Sequence, residues 1–266
     1  MAATDAAAGP PFTAPPFTGV CVALVTLFDG HGRLDAPATA DLAARLVDLG
    51  VGAVLVAGST GEAWALSAAE RTAVLDAVKA AVDVPVIAGT GAPTAKEAAA
   101  FSVAAADHGA DALLVLSPPG TDEPRPYYDE VAAAVAATGT PLIAYHFPVV
   151  SPPGLPVEVL NDLQAVAVKD SSGDVDRLHH TVQTFHGHVY PGSSRVLTLA
   201  GRLGTAGVIE VLANSRPEQV IAAFEGDEAA QDALGPLFDE VLADFPAAIK
   251  RMTATRFGTS TSVRPR

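Results

Sequence analysis

From residue 20 onward the chain repeats one pattern. A short apolar run rich in β-branched residues leads into a Gly- or Pro-marked turn, then into an Ala-rich stretch with apolar positions three or four residues apart. The short runs predict strands at 20–26, 53–57, 85–88, 112–116, 141–145, 165–169, 188–191 and 207–210. Most are apolar along their whole length, as parallel strands buried on both faces should be. The longer stretches predict helices near 36–49, 67–82, 94–108, 125–138, 156–163, 174–185, 195–203 and 215–225.

Local signals support these boundaries. Ser67 precedes Glu70, and Thr94 precedes Glu97, at the spacing that lets a hydroxyl and a carboxylate satisfy the free N–H groups of a helix start. Pro37 falls in a first turn, and Gly50, Gly109 and Gly139 sit where helices should stop. Eight strand–helix units without a break in composition predict an α/β fold, a single closed (β/α)8 TIM barrel over residues 19–227. The alternative, an open doubly wound sheet, lacks the G-x-G-x-x-G expected after its first strand. Residues 228–266 stay helical in pattern without a further strand, and are expected to pack on the barrel as a C-terminal extension ending in the polar, basic segment TSVRPR. Residues 1–18 are rich in Ala and Pro and lack the features of a signal peptide; a flexible arm is expected there.

Composition narrows the function. A length of 266 residues, 49% of them hydrophobic and 17% charged, suits one large buried core. Sixteen Lys and Arg against 30 Asp and Glu give a formal charge of −14, which disfavours nucleic acid and anionic membrane as partners. No apolar run is long enough to span a bilayer. The lone Cys21 excludes an intrachain disulfide and a Cys-rich zinc site; a buried thiol and a cytoplasmic setting are expected. The seven histidines show no metal-ligand spacing, so no metal is expected.

In such a barrel the chemistry belongs at the C-terminal ends of the strands. Lys169 ends the apolar run 165–168. An ammonium is costly to bury, and a neutral amine is what carbonyl addition requires, so this lysine is a candidate nucleophile. Pairing with Asp170 or Asp174 is an equally good reading of the same position. Gly58-Ser59-Thr60-Gly61-Glu62, after the second strand, offers two hydroxyls and successive backbone N–H groups able to hold a carboxylate, although an ordinary turn would also use small residues. Tyr145 could exchange a proton through its hydroxyl or serve as a core aromatic. His146, its neighbour on a strand, should face the other way.

Together these residues resemble the dihydrodipicolinate synthase/N-acetylneuraminate lyase family, from Gly19 over nearly the whole chain. The likeness rests on Ala23-Leu24-Val25-Thr26, the GSTGE segment at 58–62, Tyr145-His146-Phe147-Pro148, Val168-Lys169-Asp170-Ser171-Ser172-Gly173-Asp174, Gly207-Val208-Ile209 followed by Asn214, and Pro246 through Lys250. The resemblance implies an imine between Lys169 and pyruvate or another 2-oxo acid, with no separate cofactor. It implies a carboxylate held by Ser59 and Thr60 beside Gly58, a proton relay at Tyr145, a pocket near the imine formed by Gly192 and the Ile209 carbonyl, and a homo-oligomer. Ser171, Ser194 and Glu210 are further candidates for substrate contact.

The departures concern the second substrate. The tyrosine pair usual after strand 4 is replaced by Ser117-Pro118-Pro119-Gly120, so the tyrosine relayed from a neighbouring subunit is missing. The arginine usual after Tyr-x-x-Pro gives way to Val149-Val150-Ser151. Ser194-Arg195 stands in place of the sialic-acid lyases' acidic pair, and Glu210 where a small residue is usual. The leading expectation is a pyruvate-dependent aldolase or lyase acting on a 2-oxo acid, with a sugar-derived 3-deoxy acid as one candidate. A dehydratase or hydratase-aldolase using the same imine is the alternative within that chemistry. A catalytically weakened paralogue with a binding or regulatory role is the alternative outside it.

Overall fold

The structure, a computed structural model, describes residues 14–265. In chain order it comprises β1 (Gly19–Ala23), α1 (Ala36–Asp48), β2 (Ala53–Val56), α2 (Ala68–Ala81), β3 (Val86–Gly89), α3 (Ala95–Asp107), β4 (Ala112–Leu116), α4 (Arg125–Val135) and β5 (Leu142–His146). There follow β6 (Ala167–Asp170), α5 (Val175–Thr184), β7 (His188–Pro191), α6 (Leu197–Arg202), β8 (Gly207–Glu210), α7 (Pro217–Phe224), α8 (Glu228–Ala243) and α9 (Ala247–Phe257). The helix starts follow the sequence signals. The Ser67 hydroxyl accepts from Glu70 N at 3.2 Å while the Glu70 carboxylate accepts from Ser67 N at 2.9 Å, and Asp35 caps α1 through Ala38 N.

All eight strands are parallel, in the ladder order β7-β6-β5-β4-β3-β2-β1-β8. β7 and β8 lie against each other across the remaining seam, so the sheet is a nearly closed TIM barrel. Strand alternation divides the side chains into two sets. Cys21, Ala23, Leu55, Ile87, Leu114, Ile143, Tyr145, Ala167, Tyr190 and Ile209 fill the barrel interior. Val22, Val54, Val56, Val115, Ala144, Val168 and Val208 face outward into the larger core beneath the helices. Phe17 joins the inner set, stacking on Tyr190 with ring centroids 4.3 Å apart, and the Tyr190 hydroxyl donates to the Phe17 carbonyl at 2.8 Å. Of the proposed arm, residues 1–13 lie outside the described residues; by Phe17 the chain is already buried.

Two predicted elements differ. β1 was expected to run to residue 26 but stops at Ala23, where Asn214 takes over its backbone. The Asn214 side chain accepts from Val25 N at 2.9 Å and donates to Ala23 O at 2.7 Å, tying the chain after β8 to the end of β1. In place of the helix expected at 156–163 there is one 3-10 segment, Val157–Asp162. Pro152, Pro153 and Pro156 supply no N–H donors and Gly154 has φ +83°, so little chain remains for a regular helix. No helix among the described residues is long and apolar enough to cross a membrane.

Candidate active site

Lys169 shares strand parity with Ala167 and projects into the barrel, aligned with Tyr145 on β5 and Tyr190 on β7. It is 4% exposed, and its Nζ lies 4.3 Å from the centroid of the Tyr145 ring. A cation is favoured over the face of such a ring. The competing reading, an ion pair with a nearby acid, fails on direction. Asp170 points outward, where it accepts from Arg177 Nε at 2.6 Å and from Ser172 N and Oγ at 2.8 and 2.6 Å. Asp174 caps α5, accepting from Arg177 N at 2.9 Å. No carboxylate forms an ion pair with Lys169 among the described residues.

The lysine opens into a cavity of about 430 Å³ at the C-terminal end of the barrel. Ser59, Thr60, Tyr145, Ser171, Gly192 and Ile209 line it beside Lys169, so six further candidates from the sequence meet there. Ser171 Oγ donates to the Tyr145 hydroxyl at 3.3 Å. Gly192 is bare for a geometric reason: a Cβ there would lie 2.3 Å from Ser171 Oγ, 2.7 Å from Lys169 Cε and 3.2 Å from the Ile209 carbonyl oxygen.

The other three candidates do not line the cavity. Gly58 backs the turn, with its Cβ direction closed by Leu55. Glu210 follows the inward Ile209 and therefore turns outward, where it is fully buried and accepts from Leu212 N at 2.8 Å. Burial pushes its carboxyl up to about 7, against the pull of the Leu212 N–H, the Ser194 hydroxyl and the charge on Lys169. Neither Ser194 Oγ nor Glu210 Oε1 completes a well-formed hydrogen bond. His146 likewise faces away, accepting from Leu155 N at 2.8 Å, and burial holds its imidazole down at about 4.

The turn bearing Ser59 and Thr60 is held under backbone strain. Ala57 and Glu62, at its two ends, have φ of +50° and +56°, a region costly for residues with side chains. Thr26 Oγ1 donates to Gly61 O at 2.7 Å and fixes the middle. The fully buried Glu62 carboxylate pairs with the fully buried Lys250 of α9 and accepts from Arg264 N at 2.8 Å. Lys250 also donates to Ser262 O at 2.6 Å. Arg264 stacks over Phe28 and donates to both Glu70 carboxylate oxygens, at 2.6 and 3.0 Å. The C-terminal segment is thus a strap that grips this turn.

The sequence reading marked Val149 and Val150 as a departure at the second substrate but missed the α8 side of the cavity's far wall. Phe147, Val149 and Val150 after β5, together with Phe238, Val241, Leu242, Ala243, Asp244 and Phe245 of α8 and its end, complete the lining. A signal was present: Phe238, Val241, Leu242 and Phe245 recur at i, i+3, i+4 and i+7. Nothing local said that this stripe would face a cavity. Tyr127 and Tyr128, by contrast, are scaffold. The Tyr127 hydroxyl donates to Ala92 O at 2.9 Å and that of Tyr128 to Val115 O at 2.8 Å.

With an unpaired lysine inside a parallel barrel, the comparison with known proteins becomes decisive. Residues 16–257 match the model of the dihydrodipicolinate synthetase family. The chain belongs to that family. It is a lyase of the class I aldolase type. It is 35% identical over 245 residues to an uncharacterized DapA-like lyase of Halobacterium salinarum, covering 88% of this chain and 79% of that one. It is 36% identical over 242 residues to a 4-hydroxy-tetrahydrodipicolinate synthase of Natronomonas pharaonis, covering 84% and 81%. Among solved structures, a prophage protein of E. coli K12 from the same family, in complex with pyruvate, superposes with a TM-score of 0.85 at 27% identity, covering 93% of this chain and 91% of that one.

Proposed function

We propose that Lys169 forms an imine with a 2-oxo acid, with pyruvate as the partner, and that the enzyme makes or breaks a C–C bond at the carbon next to the imine. The observation that carries this reading is a buried lysine amine without a carboxylate partner, set against the Tyr145 ring in a cavity kept open by Gly192. The amine adds to the keto carbon, and loss of water leaves a protonated imine. That cation is an electron sink: a bond to the adjacent carbon can break, leaving an enamine, or form from one. The face of Tyr145 stabilises the positive charge, and its hydroxyl, bonded to Ser171, can carry the proton that the carbinolamine and the new hydroxyl exchange. The hydroxyls of Ser59 and Thr60, on a turn locked from both ends, suit the substrate carboxylate. This chemistry requires no metal or separate cofactor. The complex with pyruvate of the E. coli prophage protein supports the choice of 2-oxo acid. Family members are typically oligomeric, and we expect a homo-oligomer here.

The test is borohydride reduction of the protein in the presence of pyruvate, read by intact mass. The wild type should gain one reduced pyruvate, and Lys169→Ala should gain none. Absence of an adduct in the wild type, or its persistence in the variant, would reject the covalent reading and leave a weakened paralogue in its place.

A further inference from the structure

The cavity has two unlike ends. Around Lys169 lie the groups able to hold or move charge, namely Ser59, Thr60, Tyr145 and Ser171. Away from it the lining is apolar: Phe147, Val149 and Val150 follow β5, while Phe238, Val241 and Leu242 come from α8. Among the described residues that line it, Lys169 is the one cation and Asp244 the one carboxylate, and Asp244 already accepts from Arg251 at 2.7 Å.

The rim of the apolar end is exposed. Val149 is 82% exposed, Leu242 49% and Val150 39%, and all three line the same cavity. A contiguous apolar patch left in water beside a reactive group is a surface for a ligand to cover.

We infer that the second substrate is an apolar aldehyde, alkyl or aromatic, with neither a carboxylate nor a row of hydroxyls. This rests on the proposed imine between Lys169 and pyruvate. In the synthetic direction the enamine carbon attacks the aldehyde carbon, one C–C bond forms, and the aldehyde oxygen takes up a proton. Water then releases the product from Lys169 as a 4-hydroxy-2-oxo acid. Pyruvate and aldehyde account for all its atoms, and nothing is oxidised or reduced. The aldehyde's side chain must lie where the cavity continues from Lys169, against the valines and α8. A carboxylate placed there would meet no unpaired cation in the lining and would leave the apolar patch in water. A sugar chain would find no hydrogen-bonding side chain on Phe147, Val149, Val150, Phe238, Val241 or Leu242, and would gain nothing from covering them. The sugar-derived acid considered from the sequence therefore does not suit this lining.

The test uses the full chain with pyruvate. Trapping is measured first, then turnover with hexanal, benzaldehyde, glyceraldehyde and succinic semialdehyde, following pyruvate consumption and product mass. The expected kcat/KM for hexanal or benzaldehyde exceeds that for the other two by about tenfold or more. Placing a cation on the rim, by Val150→Arg or by Leu242→Lys on α8, should raise the ratio of succinic semialdehyde to hexanal turnover by about tenfold. If pyruvate traps on Lys169 but glyceraldehyde or the semialdehyde is preferred, or no aldehyde is consumed, the inference is overturned and the imine reading stands. If pyruvate does not trap, both fall. If the rim variants leave the acceptor ratio unchanged and instead dissociate an oligomer in sedimentation, the patch belongs to an interface between copies and the inference is again overturned.

Discussion

A methyl group on Gly192 would come within 2.7 Å of Lys169 Cε and 2.3 Å of Ser171 Oγ. Lys169 Nζ sits 4.3 Å from the Tyr145 ring centroid, and a stem pushed by that methyl would carry the amine off this position. Gly192→Ala should therefore slow imine trapping by about a hundredfold, the usual cost of displacing a reacting atom by about an ångström. The fold should survive, because the clash lies at a strand end facing an open cavity. Trapping of the variant at the wild-type rate would show that Lys169 does not need this space. At this scale much was legible in the sequence. Strand alternation alone sends Asp170 away from Lys169, so half of the ion-pair alternative could have been set aside. Asp174 lies beyond the strand, where no periodicity applies, and only its cap on α5 removes it. Glu210 is a candidate only because it stands where a small residue is usual; alternation, with Ile209 inward, turns it away from the cavity.

Among elements, the strands were the most legible because burial on both faces writes a continuous apolar run. The helices followed from caps and glycines. What the sequence hid were contacts between distant segments. TSVRPR looks like a solvated tail, yet Arg264 reaches the Glu70 carboxylate, Gly32 O and Ala65 O, and its own N–H binds Glu62. No local pattern announces a partner some 200 residues away. The strap has a measurable weight. Arg264→Ala would remove a two-pronged carboxylate pair, two hydrogen bonds to carbonyls and the stacking on Phe28. We expect a loss of about 1–3 kcal/mol in denaturant unfolding, since charge-assisted bonds to partly buried groups are worth more than exposed pairs. Because the strap also steadies the turn carrying Ser59 and Thr60, trapping at low pyruvate should slow several-fold while saturating pyruvate restores it. An unchanged unfolding midpoint would mean that the strap merely lies on the surface.

For the molecule as a whole, charge and one buried acid act on stability in the same direction. A net charge of −14 makes the folded state repel itself, and each carboxylate protonated on acidification relieves some of that. Glu210 adds a local effect. In the unfolded chain it titrates at its ordinary value of 4.5, while in the fold burial moves it up to about 7. Below the lower value both states hold the proton. As pH rises between the two, the unfolded chain releases it and the fold retains it, so stability falls by about 1.4 kcal/mol per unit, or about 3 kcal/mol in all. Acid loss works the opposite way. Glu70, held down at about 2 by Arg264, contributes stability that is present at neutral pH and lost only as pH falls below its ordinary range. His146 opposes Glu210 over nearly the same window: its imidazole titrates at its ordinary 6.5 in the unfolded chain and at about 4 in the fold, so stability rises as pH climbs between those values. By these shifts the two nearly cancel, and the profile of the wild type should be shallow between about pH 5 and 7. Surface repulsion and the buried titrations separate experimentally. Salt screens the surface repulsion but reaches the buried Glu210 weakly, whereas Glu210→Gln removes the buried titration and leaves the surface charge nearly intact. In added salt, stability should change little from about pH 5 to 7 in the wild type and rise by about 2 kcal/mol over that range in Glu210→Gln, where His146 is left unopposed. A profile that Glu210→Gln leaves unchanged would mean that Glu210 ionises in the fold near its ordinary value.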